Sequence, residues 1–483
     1  LISVNSVFSY NDFQIALSAF KNRLTTSGDN INYFVIDNCN IDVKRIILKF
    51  INQSWDSGQV PAEWKTAVVK PIPKASSSSN LVDKFRPISI TPCMNKVMEK
   101  MINNRLMWFL EKNKILNSNQ CGFRKFHNCQ DNLFKLHKTI TKALMLTKFN
   151  ITIFLDMSKA FDKIWIEGLL LKMRKIGLSG NIVNWITDFL VGRTFRVNYN
   201  GTFSDIFHCE NGVPQGSCLG PTLFLLMTHD FPTLSSDTLL LSFADDNALS
   251  YCGTSIVELI LRAQHDLLLI EQWCKSWGFV INVEKTKAVL FTRKRKVQIP
   301  NLLLLGTAIE FVSQFKYLGI WFDSCYNLQK HTSELCIKVN KRVNLLRCLA
   351  KSRWCNAMHC LLAFYKSAIR SLIDYGCFLY EFVSNKVLRK LTQLQYICLK
   401  ICSGCLIGTS LDSLQVLCNI QPLHVRRSLL ITKFYTSLLW QPKTCLVNNS
   451  IFLSKDDLLS SDILLSTKEI MASHHLDTTI NLG

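Results

Sequence analysis

The stretch "LLLSFADDNALSYC", residues 239–252, sets two adjacent acids inside an apolar run. A strand sends successive side chains to opposite faces, so one continuous half-buried strand would drive either Asp245 or Asp246 into the core. Two arrangements avoid that cost. Either the pair sits at the tip of a hairpin whose strands are the apolar flanks, or a cation offsets the charge.

With 483 residues and 48% hydrophobic content, the chain can bury a large core and is expected to divide into two or three units, which excludes a disordered tail. Its 56 Lys and Arg outnumber 35 Asp and Glu, for a formal net charge of +21. That excess favours a polyanionic partner, nucleic acid or an acidic membrane surface. The 19 cysteines are scattered through apolar segments without a closely spaced framework, so they read as reduced residues of an intracellular protein. Charged residues or His interrupt every apolar run before it reaches the length of a membrane span, and no membrane partner is expected. The start at Leu1 reads as a fragment of something longer.

No internal repeat is present, and "KASSSSN" (74–80) reads as a flexible loop. Residues 1–55 carry short helical patterns. "TAVVKPIPK" (66–74) reads as a strand, and Val97, Met101, Leu106 and Leu110 share one face of a helix from about Asn95 to Glu111. "NITIFLDM" (150–157) is a buried strand, and 165–190 are helices broken at Gly177 and Gly180. "PTLFLLMTHDF" (221–231) is helical, and an amphipathic helix covers 255–275. Strands are expected at "FVINV" (279–283) and "AVLFT" (288–292). This order suggests an α+β arrangement, a small sheet with helices packed on one side. Beyond Phe322 the pattern turns helical. In "LLAFYKSAIRSLIDYG" (361–376), Leu361, Tyr365, Ala368 and Leu372 recur at helical spacing beside the basic pair Lys366 and Arg370.

A third acid, Asp156, ends the strand "ITIFLDM". Carboxylates from separate elements are what two-metal phosphoryl transfer requires, and hard oxygen ligands select Mg²⁺. Alone, Asp-Asp-Asn is better read as turn chemistry. The surrounding residues weigh against that. "FADD" (243–246), "FLDMSKAFD" (154–162) and "NGVPQGSCLGPTLF" (211–224) resemble the palm motifs of reverse transcriptases, in the same order. So do "PAEWKTAVVKPIPK", "FRPISI", "QCGFRK", "WGFVINVEKTKAVLF", "FKYLGIWFD" and "YKSAIRSLIDYG". Together they resemble the polymerase of a non-LTR retrotransposon, LINE-type and Jockey-like, over roughly residues 55–430.

The resemblance implies a right-hand polymerase with fingers, a ferredoxin-like palm sheet and a helical thumb. Its expected layout is an N-terminal extension or linker over 1–54, fingers and palm over 55–325, thumb over 326–430 and a tail over 431–483. Asp156 and Asp245 would be the principal ligands of two Mg²⁺ ions, with Mn²⁺ as an alternative, and Asp246 would complete the cluster. Phe161 would exclude a ribose 2′-hydroxyl sterically, Gln215 and Gly216 would line the dNTP pocket, and Lys74 and Arg86 would grip the triphosphate. Lys285 would protonate departing pyrophosphate, with Lys287 close enough to compete for that role. Tyr317, Leu318 and Gly319, in "FKYLGI", would form the primer grip.

The implied partners are an RNA template, a DNA primer, dNTPs and an element-encoded ribonucleoprotein, in the nucleus or a cytoplasmic particle. The rival readings are an inactive domesticated nucleic-acid binder, an RNA polymerase of related palm design and a structural ribonucleoprotein component. "GFRKFHNCQDNL" (122–133) departs from the family, which has a Ser-Thr pair where Asn128-Cys129 follow His127. Cys402, Cys405, Cys418 and His424 have zinc-finger-like spacing, but they lie across apolar helical sequence and read as coincidence among 19 cysteines.

Overall fold

The computed structural model describes residues 2–20, 29, 31–74, 81–294, 297–352, 357–406 and 408–440. Its centre is a five-stranded sheet in the order Glu310–Phe311, Lys287–Phe291, Phe149–Leu155, Asp246–Gly253, Leu239–Phe243. All neighbours are antiparallel except Glu310–Phe311, which runs parallel to Lys287–Phe291. The opening stretch is the expected hairpin. Leu241 pairs with Ala248 and Phe243 with Asp246, which leaves Ala244 and Asp245 as a two-residue turn.

Both faces of this sheet are covered, which corrects the expectation of helices on one side. Every residue of Phe149–Leu155 is buried. Ile151, Ile153, Leu249 and Tyr251 join one hydrophobic core, while Phe154, Leu241, Ala248 and Phe291 join a second. The strand alternation thus feeds two apolar layers. The first core lies under the helices Cys93–Lys112, Ile166–Lys175, Asn181–Leu190, Gly220–Met227 and Ile256–Trp277. The second joins the helix Cys129–Met145 and the hairpin 314–323 to the helices that follow, Gln329–Lys351, Asn385–Ser403 and Leu423–Trp440.

The described residues of 1–54 pack into the core instead of forming a linker. Phe8, Phe13, Leu17, Tyr33, Ile36 and Ile51 are buried in the first core, Phe8 packs 4.9 Å from Trp55, and Asn5 donates to the carbonyl of Ser179. Apolar residues at helical spacing buried this segment against its neighbours rather than leaving it as a tether. The boundary at 430 also falls inside an element, because Leu423–Trp440 is one helix. Residues 441–483 of the expected tail and 75–80 of the "KASSSSN" loop lie outside the described residues.

Three further expectations shift. "FVINV" forms a single bridge between Ile281 and Met157 instead of a strand. Asn282 explains this, since its side chain accepts from Lys285 N and its carbonyl from Thr286 N, closing a turn that competes with strand pairing. The helix at 221–231 ends at Met227. Within 361–376, Tyr365–Arg370 is a π-turn, so the buried stripe runs Leu361, Tyr365, Ile369, Ile373 and bypasses Ala368 and Leu372. A π-turn holds more residues per turn than 3.6, and the apolar face follows the wider period. Among the described residues, no helix is long and apolar enough to cross a membrane.

A second sheet pairs Phe85–Ile90 with Thr66–Pro73, and Thr66–Pro73 in parallel with Thr194–Tyr199. It carries Arg86 toward the acidic turn.

Candidate active site

Antiparallel pairing of Leu155 with Asn247 brings the end of the strand Phe149–Leu155 to the Ala244-Asp245 turn. Asp156 follows that strand end. Its backbone is pinned by Asn282, whose N–H donates to the Asp156 carbonyl at 2.9 Å, and by Thr286, whose hydroxyl accepts from Asp156 N. Three carboxylates therefore converge. Burial, with the Asp156 charge adding and Arg86 opposing, raises Asp245 above the usual carboxylate range. Crowding by protein, then the charges of Asp245 and Asp156, pushes Asp246 up to about 6, although its side chain reaches solvent. Asp156 Oδ2 is buried and makes no hydrogen bond. Three like charges and a buried carboxylate oxygen without a hydrogen bond make a hard donor set that fits a divalent cation.

The other expected residues arrive from several elements. Lys285 Nζ stands 3.7 Å from Asp156 Oδ2, whereas Lys287 pairs with Glu310 at 2.6 Å. Arg86 is exposed and close enough to act on Asp245. Lys74 lies close enough to act on Asp162, the neighbour of Phe161. Phe161 is half-buried, stacked 4.8 Å from Phe224 and set edge-on to Phe123 at 5.9 Å.

Gln215 and Gly216 dock against the strand carrying Arg86: Ser89 N donates to the Gln215 carbonyl at 2.8 Å. Gly216 has φ of 120°, and a Cβ there would stand 2.8 Å from the Ser89 carbonyl, so the close approach requires glycine. The buried Glu99 fixes the segment that follows by accepting from Cys218 N at 2.7 Å and from the Ser217 hydroxyl.

The hairpin 314–323 turns at Leu318 and Gly319, both with positive φ. Tyr317, expected in the primer grip, is 3% exposed, with its hydroxyl 3.5 Å from the Leu241 carbonyl, so it ties the hairpin to the central sheet. Gly319 is exposed at the tip and Leu318 is half-buried, its carbonyl accepting from the Tyr375 hydroxyl at 2.6 Å. Cys402 and Cys418 lie in the second core, and the four zinc-like residues do not converge as a ligand set among the described residues.

Reasoning from sequence missed what holds the acidic turn. Ala244 sits at φ 56°, a left-handed conformation unusual for a residue with a side chain. The Gln120 amide clamps it on both sides: Oε1 accepts from Ala244 N at 2.8 Å, and Nε2 donates to Ala244 O at 3.1 Å. The same Oε1 accepts from Gly122 N at 2.8 Å. A Cβ on Gly122 would stand 2.3 Å from Ala244 N, so the loop can approach this closely only with glycine there. Cys121 N and Asn132 Nδ2 both donate to Ser242 O at 2.9 Å. The only signal in the sequence was the Gln-x-Gly spacing in "QCGFRK".

Comparison with known proteins agrees with this geometry. A family model described as reverse transcriptase (RNA-dependent DNA polymerase) matches residues 72–322. The RNA-directed DNA polymerase from mobile element jockey of Drosophila melanogaster is 31% identical over 360 residues, 73% of this chain and 39% of that protein. A probable RNA-directed DNA polymerase from transposon X-element of the same fly is 28% identical over 349 residues, 71% of this chain and 38% of that protein. Among solved structures, apo telomerase from Candida tropicalis, truncated from its C-terminal domain, aligns over 59% of each chain at 13% identity with a TM-score of 0.37. The chain spans about two-fifths of the length of the curated relatives it matches. The family model covers just over half of the chain, in the segment that builds the three-acid site, and on that ground the chain belongs to the reverse transcriptase (RNA-dependent DNA polymerase) family, with its right-hand polymerase fold.

Proposed function

We propose that this chain is the RNA-directed DNA polymerase segment of a Jockey-like non-LTR retrotransposon, extending the 3′ hydroxyl of a DNA primer with dNTPs over an RNA template. The observation that carries this reading is the convergence of Asp156, Asp245 and Asp246 around a buried carboxylate oxygen that makes no hydrogen bond and has only the Lys285 ammonium, 3.7 Å away, as a counter-charge. In the right-hand description, the central sheet is the palm, the sheet with Arg86 belongs to the fingers, and the helices after residue 326 are the thumb. A ribonucleoprotein in the nucleus or cytoplasm is the setting this function requires.

Asp156 and Asp245 would hold two divalent ions, Mg²⁺ by preference, with Asp246 at the solvent edge. Bound there, the ions supply Lewis-acid stabilisation of the primer oxygen and the leaving phosphate. The chain's own residues do the rest. Arg86 offers its guanidinium fork to the triphosphate, and Lys74 adds a point charge beside Asp162. Phe161, braced by Phe224 and Phe123, fills the space a ribose 2′-hydroxyl would need. Gln215 and Gly216 bring backbone close to the nascent pair. Lys285 is 68% exposed beside Asp156, where it can deliver a proton to departing pyrophosphate. Template and primer would be held through phosphates and A-form shape by a chain of formal net charge +21.

The test is extension of a DNA primer on an RNA template by the purified chain with Mg²⁺. Incorporation of dNTPs in preference to rNTPs supports the reading. Salt-sensitive RNA binding with no incorporation under any metal would return the chain to an inactive nucleic-acid-binding role.

A further inference from the structure

Residues 120–131, running from the family-like "QCGFRK" into the stretch that departs from the family, gather three metal-ligating side chains beside the acidic turn. A Cys121 sulfur, a His127 ring nitrogen and an Asp131 carboxylate oxygen lie within 4.8 Å of one another. Cys121 and Asp131 are each 1% exposed, and His127 is half-buried. Asp131 is already committed on one side. Its Oδ2 accepts from Asn128 N at 2.9 Å, completing the capping box of the helix Cys129–Met145. Its Oδ1 is buried and has no hydrogen-bond partner. A carboxylate oxygen in that position is destabilising unless a cation meets it.

We propose that Cys121, His127 and Asp131 bind a zinc ion, distinct from the ions of the acidic turn. A thiolate, an imidazole and a carboxylate form a mixed donor set that suits Zn²⁺, whereas Mg²⁺ takes oxygen ligands. Three protein ligands leave the fourth tetrahedral position for water. Coordination takes the Cys121 sulfur as thiolate, and the thiol proton passes to solvent. Cys129 has another role, since its thiol is hydrogen-bonded with Tyr375.

The ion would staple the loop 121–127 to the start of the helix Cys129–Met145. That loop holds Phe123 and Phe126 at φ of 59° and 66°, conformations that need restraint in residues with side chains. It also follows directly on Gln120, so the staple would stiffen the support of the Ala244 turn. Where the family has Ser-Thr, Asn128 is the N-cap here and admits the helix start on which Asp131 sits.

The experiment strips the intact chain with chelator and titrates it with Co²⁺, read by thiolate-to-cobalt charge-transfer absorption, and then with Zn²⁺ in competition. The proposal expects one equivalent of Co²⁺ with that absorption, displaced by Zn²⁺ and lost in Cys121→Ser and His127→Ala. Cys129→Ser and Asp245→Asn should retain it, the latter separating this ion from any held by the acidic turn. No charge-transfer band in the intact chain overturns the proposal, and so does a band that survives in Cys121→Ser or disappears in Cys129→Ser. The intact-chain result decides even if a variant fails to fold.

Discussion

Replacing Gln120 with alanine tests whether the acidic turn is held from outside. The change removes three hydrogen bonds at once, leaving Ala244 N, Ala244 O and Gly122 N without the partners they have now. Each buried polar group left unpaired costs about 1–3 kcal/mol. Ala244 in its left-handed conformation costs a further ~1–2 kcal/mol, which the clamp now holds in place. Even after water replaces part of the loss, the turn should give up about 3 kcal/mol of restraint. Asp245 then moves relative to Asp156, and a displacement of about 1 Å at a reacting centre is worth roughly 10²-fold in rate. The expected result in steady-state primer extension is a fall of about 100-fold in kcat with KM for dNTP little changed, because Arg86 and Phe161 are untouched. Ala244→Gly relieves the left-handed strain and should soften the loss, with a coupling of about 1 kcal/mol, near fivefold in rate. An equal fall in both backgrounds, or wild-type kcat in Gln120→Ala, refutes the reasoning.

Two further outcomes follow from the same geometry. Phe161→Val removes the ring braced on Phe224 and should lower dNTP-over-rNTP discrimination by about 10-fold or more, measured as a ratio of kcat/KM; unchanged discrimination removes Phe161 from the sugar pocket. His137, 2% exposed with Nδ1 2.5 Å from the Tyr326 hydroxyl, is held down to about 3 by burial. Its unfolded form protonates near 6.5, so the unfolded chain binds the extra proton first and stability drops as pH falls from about 6.5 toward 3. Asp131 and Asp246, both raised to about 6, work in the opposite direction over part of that range. The comparison is therefore between wild type and His137→Gln, whose stability difference in urea should shrink by about 2 kcal/mol between pH 7 and pH 5. A pH-independent difference contradicts the assignment.

Much of this could be read from the chain before any coordinates. The apolar flanks of Asp245-Asp246 mark the two strands of a hairpin, and the helix breaks at Gly177 and Gly180 stand where the structure has them. What escaped depends on partners distant in sequence. Burial of Tyr317 is decided by its contact with Leu241, and that of Phe8, Phe13, Leu17 and Ile51 by the helices they pack on. The Gln120 clamp joins residues 124 apart, and beyond the Gln-x-Gly spacing nothing local marks an amide that will hold a distant turn. "FVINV" carried strand propensity, but the Asn282 turn outcompeted it, and the π-turn at Tyr365–Arg370 changed the helical period in mid-run. The acids were legible because charge in an apolar run needs a reason, and their support was not because its residues are unexceptional.

The central claim is that Asp156, Asp245 and Asp246 form one metal-dependent polymerisation site. The most direct test is single-turnover incorporation of one dNTP onto a primed RNA by wild type and by Asp245→Asn, in Mg²⁺ and in Mn²⁺, with circular dichroism to check that both are folded. The account predicts Mg²⁺-dependent incorporation by wild type and none detectable by the folded variant. Incorporation by Asp245→Asn at the wild-type rate would contradict it.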